Sequence, residues 1–165
     1  MEANVPDNIP DNIPADEFDE FFMGEALKEA RRAFENGEVP IGVVITRNGE
    51  IIARAANERV ARANALYHGE IIAIDIACQK VGDWRLEDCR IYVTIEPCPM
   101  CAGAIIQARI PVVVYGAKNP KAGCAGSILN ILEEPRFNHQ AQVISGVLEE
   151  ECADIMREFF VRFRK

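Results

Sequence analysis

The stretch Glu96-Pro97-Cys98-Pro99-Met100-Cys101, taken with Tyr67-His68-Gly69-Glu70 upstream, limits what this chain can fold into more than any other feature. Two cysteines three apart at a helix start present both sulfurs on one side, because residues i and i+3 are neighbours on a helical surface. The orphan N–H groups and positive dipole end of a first turn favour thiolate over thiol, the form that a metal ion needs. Pro97 and Pro99 suit the same place, since a missing N–H costs nothing there. The pair therefore supplies two corners of a tetrahedron.

A C-x-x-C alone also serves redox centres and half of many structural zinc sites, so its partner decides. A structural zinc is closed by four protein ligands, whereas a catalytic zinc keeps three and leaves one position open. The chain has two histidines. His68 stands two before Glu70, and H-x-E followed by P-C-x-x-C is the arrangement of zinc-dependent deaminases. The reading is one Zn2+ per chain on His68, Cys98 and Cys101, with Glu70 as the acid/base. Residues i and i+2 do not share a helix face, so His68 and Glu70 can converge only at a helix start. Gly69 between them leaves the backbone open to close approach by a ligand.

At 165 residues and 49% hydrophobic, the chain supports one domain with a substantial core, placed at residues 16–165. Six cysteines without a signal-type N-terminus predict free thiols in a reducing cytoplasm. No apolar run reaches membrane-spanning length, so no membrane partner is expected. The net charge of −8 argues against nucleic acid until it is divided. Residues 1–20 hold seven acids and no base, leaving 19 acids against 18 bases in the rest. A local basic patch is then allowed, and its placement matters more than the total. Residues 1–14 repeat Asp-Asn-Ile-Pro in tandem and have no period that buries a face, so residues 1–15 read as a disordered or loosely packed acidic tail.

Apolar positions at helical spacing predict a helix from about Asp16 to Asn36. Ile41–Thr46 and Glu50–Ala56 are β-rich and joined by Asn48-Gly49, which predicts an antiparallel hairpin. Asn57–Tyr67 reads as a loop delivering the chain to the metal, with Asn57 beside it. A helix from about His68 to Lys80, a strand Arg90–Glu96, a helix through Ala102–Arg109 and a strand Val112–Tyr115 follow. Ile128–Leu132 reads as a short helix and Glu149 onward as the last one. This order gives an α/β fold, a mixed sheet of about five strands covered by helices, with its site at strand ends. Lys118 and Lys121 sit in a polar loop that is either a solvated turn or a substrate rim. Arg162, with Phe159 and Phe160, either balances the helix dipole or offers stacking and phosphate contacts to single-stranded nucleic acid.

Beyond the metal signature, Trp84-Arg85-Leu86, Tyr92 through Cys98, Gly116-Ala117, Ala125-Gly126-Ser127, Arg136 through His139 and Phe159-Phe160 resemble bacterial tRNA-specific adenosine deaminases, and the likeness covers about residues 16–165. The resemblance implies a three-layer αβα cytidine deaminase-like fold and a homodimer. It also implies conversion of adenosine to inosine at the wobble position of a tRNA anticodon stem-loop. By the same resemblance Asn57 holds a flipped base through its amide, while Glu70 carries the water's proton to the purine ring. Tyr67 and Gly69 depart from that family's small residue and alanine, and His-Gly-Glu is similar to fungal-type cytosine deaminases; both changes are expected to reshape the pocket. Asn119 stands where such relatives often have Asp, which is expected to relax discrimination between RNA and DNA. Two rival readings share the metal site: a small-molecule deaminase of a free base or nucleoside, and a noncatalytic zinc-stabilised RNA-binding module.

Overall fold

Each central strand alternates its side chains between two apolar layers, and that alternation sets the architecture of the computed structural model, which describes Pro14 and residues 17–163. The elements are α1 (Phe18–Glu35), β1 (Gly42–Arg47), β2 (Glu50–Ala56), α2 (Arg59–Arg62), α3 (Gly69–Val81), β3 (Cys89–Ile95), α4 (Pro99–Gln107), β4 (Val112–Ala117), β5 (Gln142–Ser145) and α5 (Glu149–Arg162). Val43, Ile45, Ile91, Val93, Val113 and Tyr115 point to one face, where Ala73 and Ala77 of α3 and Ala102, Ile105 and Ile106 of α4 cover them. Val44, Tyr92 and Val114 point to the other, beneath Phe22, Met23 and Ala26 of α1 and Cys152 of α5. Successive strand residues face opposite sides of a sheet, so a strand buried on both faces reads as a continuous apolar run. Each fully buried Ile or Leu here contributes about 1.5–3 kcal/mol by leaving water.

The sheet runs β2-β1-β3-β4-β5. β1 is antiparallel to both β2 and β3, while β3, β4 and β5 are mutually parallel. This is the mixed five-stranded αβα arrangement expected. The hairpin turns through Asn48 and Gly49 at φ 52° and 78°, both in the left-handed region that this dipeptide accommodates. All six cysteines are free. Among the described residues no helix is long and apolar enough to cross a membrane.

Three expectations change. Residues 57–67 are not all loop, because Arg59–Arg62 closes one helical turn. Residues 128–132 do not form a helix: Ala125 bridges Asn130 in antiparallel fashion, and Ile131 donates its N–H to Cys124 O at 3.0 Å. β5 adds an edge strand that the sequence pattern does not predict. The acidic tail expected at 1–15 lies outside the described residues apart from Pro14.

Candidate active site

Both signature stretches sit where the chain enters a helix. His68 is the N-cap of α3, extended at φ −76°, ψ 150°, and Glu70 is already in the helical turn. The break in backbone direction at the cap lets two residues only two apart face the same space. Cys98 likewise caps α4 at φ −74°, ψ 175°, with Pro99 opening the helix and Cys101 in its first turn. Tight register of β3 with β4, Ile95 against Ala117, holds this second entry at the carboxyl ends of two parallel strands, where α/β folds place their sites.

His68 Nδ1 lies 3.7 Å from Cys98 Sγ and 3.5 Å from Cys101 Sγ, and the three ligand atoms all fall within 4.8 Å of one another. A tetrahedral zinc with ordinary Zn–S and Zn–N bonds separates an imidazole nitrogen from a thiolate by about 3.6 Å. The His/Cys/Cys set therefore fits a metal ion without rearrangement. Among the described residues these three form the metal-ligand cluster, and no fourth Cys, His or carboxylate joins them.

Glu70 is buried at 3% exposure, and its Oε2 has no hydrogen-bond partner. Buried polar atoms are nearly always satisfied, so an orphaned carboxylate oxygen lining a cavity marks a place for a further polar group. Burial raises its pKa to about 7, with the neighbouring Cys98 thiolate adding to the effect. A carboxyl poised there can both accept and release a proton near neutral pH. The two cysteines share a proton unequally. Cys98 is lowered to about 5, first by the hydrogen bond from the Cys101 thiol and against its own burial, while Cys101 is held above the normal thiol range.

These groups open onto a cavity of about 790 Å³. Asn57 lines it, buried at 3% exposure, and its Oδ1 accepts the Gly69 N–H at 2.9 Å. That bond fixes the amide: the oxygen is taken, and the NH2 is what Asn57 can offer a ligand. Lys118, Asn119 and Lys121 also line the cavity, as does the half-exposed Phe160. Asn119 turns its Oδ1 back into its own loop, accepting the N–H groups of Lys121 at 3.3 Å and Ala122 at 3.1 Å.

Other predicted substrate residues lie elsewhere. Phe159 is buried, with its ring 5.8 Å from Phe34 and 4.6 Å from Phe163, and it does not line the cavity. Cys152, Ile155 and Phe159 share the buried face of α5, a spacing already visible in the sequence. Arg162 stacks over Phe34 and Phe163, each 5.5 Å away, outside the cavity lining. Gly69 faces the sheet: a Cβ there would meet Val43 Cγ2 at 3.0 Å and Ala56 Cα at 3.2 Å. It gives the ligand space no opening, and its smallness serves the packing of α3 on β1 and β2. Tyr67 lies under Arg62, whose guanidinium is 5.4 Å from the ring, and it does not line the cavity either. Neither departure reshapes the pocket wall directly.

Sequence reasoning missed Arg59 of α2 and Met156 and Arg157 of α5, all of which line the cavity. Arg59 and Arg157 line the cavity with Lys118 and Lys121 on a chain of net charge −8, and Arg157 is itself paired with Asp154 and, at 3.6 Å, with Glu150. Nothing local marks either arginine, because they come to one cavity from elements far apart in sequence.

A histidine and two cysteines at helix starts beside a buried glutamate, on a five-stranded αβα sheet, define a deaminase: residues 17–164 match the family model of the MafB19-like deaminases. The chain is 56% identical over 147 residues to the tRNA-specific adenosine deaminase of Bacillus subtilis (strain 168), covering 89% of this chain and 91% of that protein. It belongs to the tRNA-specific adenosine deaminase family. A solved structure from work on A-to-I editing by tRNA:A34 deaminases at the wobble position is 44% identical, with a TM-score of 0.79 over 82% of this chain and 98% of that one. The guanine deaminase from Nitrosomonas europaea, 21% identical with a TM-score of 0.76 over 96% of this chain and 100% of that one, shares the fold.

Proposed function

We propose that this chain hydrolytically deaminates adenosine to inosine at the wobble position of a tRNA anticodon stem-loop, as a cytoplasmic homodimer with one Zn2+ per chain. The observation that carries the reading is the joint geometry of His68, Cys98 and Cys101 beside the orphaned Glu70 oxygen. Held by His68 Nδ1 and the two thiolates, zinc would bring the acidity of a water molecule close to neutral.

The chain's own residues supply the rest. Glu70 takes one proton of the attacking water and hands it to the purine ring nitrogen as the C6–O bond forms, then takes the remaining hydroxyl proton and delivers it to the exocyclic amine as the C6–N bond breaks and ammonia leaves. Its burial raises its pKa, which favours a carboxyl that can hold the proton between the two transfers. Asn57, its oxygen locked by the Gly69 N–H, orients the base through its NH2. The cavity's apolar wall of Ile41, Ile95, Ala117 and Met156 excludes bulk water from the reacting carbon. Adenosine must leave its stack to enter, and a single-stranded loop makes that inexpensive.

The rim supports an RNA substrate over a free base. Arg59, Lys118 and Lys121 suit a phosphate backbone, while Arg157 is already paired with Asp154 and Glu150, and the half-exposed Phe160 ring suits stacking on a neighbouring base. The test compares inosine formation and ammonia release from an anticodon stem-loop RNA with release from adenosine, cytosine, cytidine and guanine. Turnover confined to the stem-loop supports the reading. Preferential turnover of a free base or nucleoside selects the small-molecule alternative. Zinc and RNA binding without turnover, unaffected by Glu70→Ala, selects the noncatalytic module.

A further inference from the structure

Glu96 follows β3 just before the metal-bearing turn, and its side chain is almost completely buried, at 2% exposure. Among the described residues it has no ion-pair partner. Its charge is met instead by four donors, all from residues 119–127. Oε2 accepts the Asn119 N–H at 3.0 Å and the Ser127 hydroxyl at 2.5 Å. Oε1 accepts the Ala125 N–H at 3.1 Å and the Ser127 N–H at 2.9 Å. Cys124 adds a further tie to the metal-bearing turn, donating its N–H to Pro97 O at 2.8 Å. Gly123 lets the loop approach this closely, since a Cβ at that position would overlap the Glu96 carboxylate.

The loop so gathered is the one that carries Lys118, Asn119 and Lys121 along the cavity rim. It has no helix of its own across 118–141 and depends on such ties for its shape. We infer that Glu96 is a positioning residue for substrate: its buried carboxylate fixes the 118–127 rim against the cysteine turn, so that RNA-contacting side chains and reacting centre keep one registered geometry. This rests on the proposed RNA deaminase reading.

Only an unprotonated carboxylate can accept at all four donors. Glutamine at this position has nearly the same shape, but its NH2 would confront the Asn119 N–H on one side, where only the Ser127 hydroxyl can turn to accept, or two backbone N–H groups on the other. Glu96→Gln should therefore release the rim without moving the metal ligands. The expected result is a KM for the stem-loop raised about tenfold, with kcat and zinc content close to wild type. Hydrogen exchange at the amides of Asn119, Ala125 and Ser127 should be faster by more than tenfold, while amides of β3 and α4 stay protected. Ser127→Ala removes one donor and leaves the carboxylate, so it should move KM and the Asn119 and Ala125 amides in the same direction by less; it carries the test if Glu96→Gln does not fold.

A merely structural role would lower the active fraction, and with it kcat, at unchanged KM; that result would overturn the inference, as would unchanged exchange at the three amides. The exchange measurement requires no substrate. Wild-type protein that ignores the stem-loop while the variants loosen the rim would remove the RNA reading and the substrate role inferred here, leaving Glu96 as the anchor of the loop alone.

Discussion

Asn57 is asked to do two things with one amide, and two substitutions separate them. Its Oδ1 accepts the buried Gly69 N–H at 2.9 Å, which anchors the start of α3 and with it His68 and Glu70. Its NH2 is assigned to the base. In Asn57→Ala the buried Gly69 N–H loses its side-chain acceptor. A buried donor left unpaired costs about 1–3 kcal/mol. For a domain of this size each kcal/mol moves Tm by about 2–4 °C, so the melting temperature should fall by about 2–12 °C. Asn57→Asp keeps an oxygen for the Gly69 N–H but has no NH2, so its Tm should stay within a few degrees of wild type. Its kcat/KM should fall at least about tenfold, because a neutral hydrogen bond contributes about 0.5–1.5 kcal/mol and the new carboxylate also faces an acceptor on the base. Differential scanning calorimetry and single-turnover kinetics on the stem-loop read the two quantities. If the aspartate variant loses as much stability as the alanine variant, the bond to Gly69 is not what Asn57 contributes to the fold. If it keeps wild-type kcat/KM, the NH2 does not hold the base.

Glu70→Gln preserves shape and removes the proton carrier, so kcat should fall by about 10²–10⁴, while zinc content and Tm hold; retained activity would place the acid/base elsewhere. Binding of the stem-loop should weaken linearly in log–log form with salt, and Lys118→Ala with Lys121→Ala should lessen the slope by about 0.7 for each phosphate that the lysines neutralise, a shift that titration at several salt concentrations detects. Tyr92→Phe removes the 2.8 Å bond from its hydroxyl to Asp19, which Arg90 also approaches at 3.3 Å. A hydrogen bond to a charged acceptor contributes about 1.5–3 kcal/mol, so chemical denaturation should register that loss with kcat unchanged.

The metal triad and Glu70 were legible because their spacing fixes local geometry: the cap residues His68 and Cys98 are turned by the entry into α3 and α4, a property of a few adjacent residues. The hairpin was legible for the same reason, with Asn48-Gly49 encoding its own turn. What could not be read locally depends on distant partners. Residues 128–132 look helical in isolation, yet Glu96 takes the N–H groups of Ala125 and Ser127 and diverts the chain into an irregular rim. β5 is four residues with a half-buried centre, and only pairing with β4 makes it a strand. Arg59 of α2 and Arg157 of α5 line the same cavity, although they lie far apart in sequence. Phe159 and Phe160 show the converse: adjacent in sequence, they fall on different faces of α5, and the spacing of Phe159 from Cys152 and Ile155 already separates core from rim.

X-ray absorption at the zinc edge of the purified protein, with its metal content, addresses the centre of the account directly. One zinc per chain with two sulfur neighbours, one nitrogen and one light exchangeable neighbour is the predicted outcome. A protein that holds no zinc, or a zinc enclosed by four side chains, would contradict it.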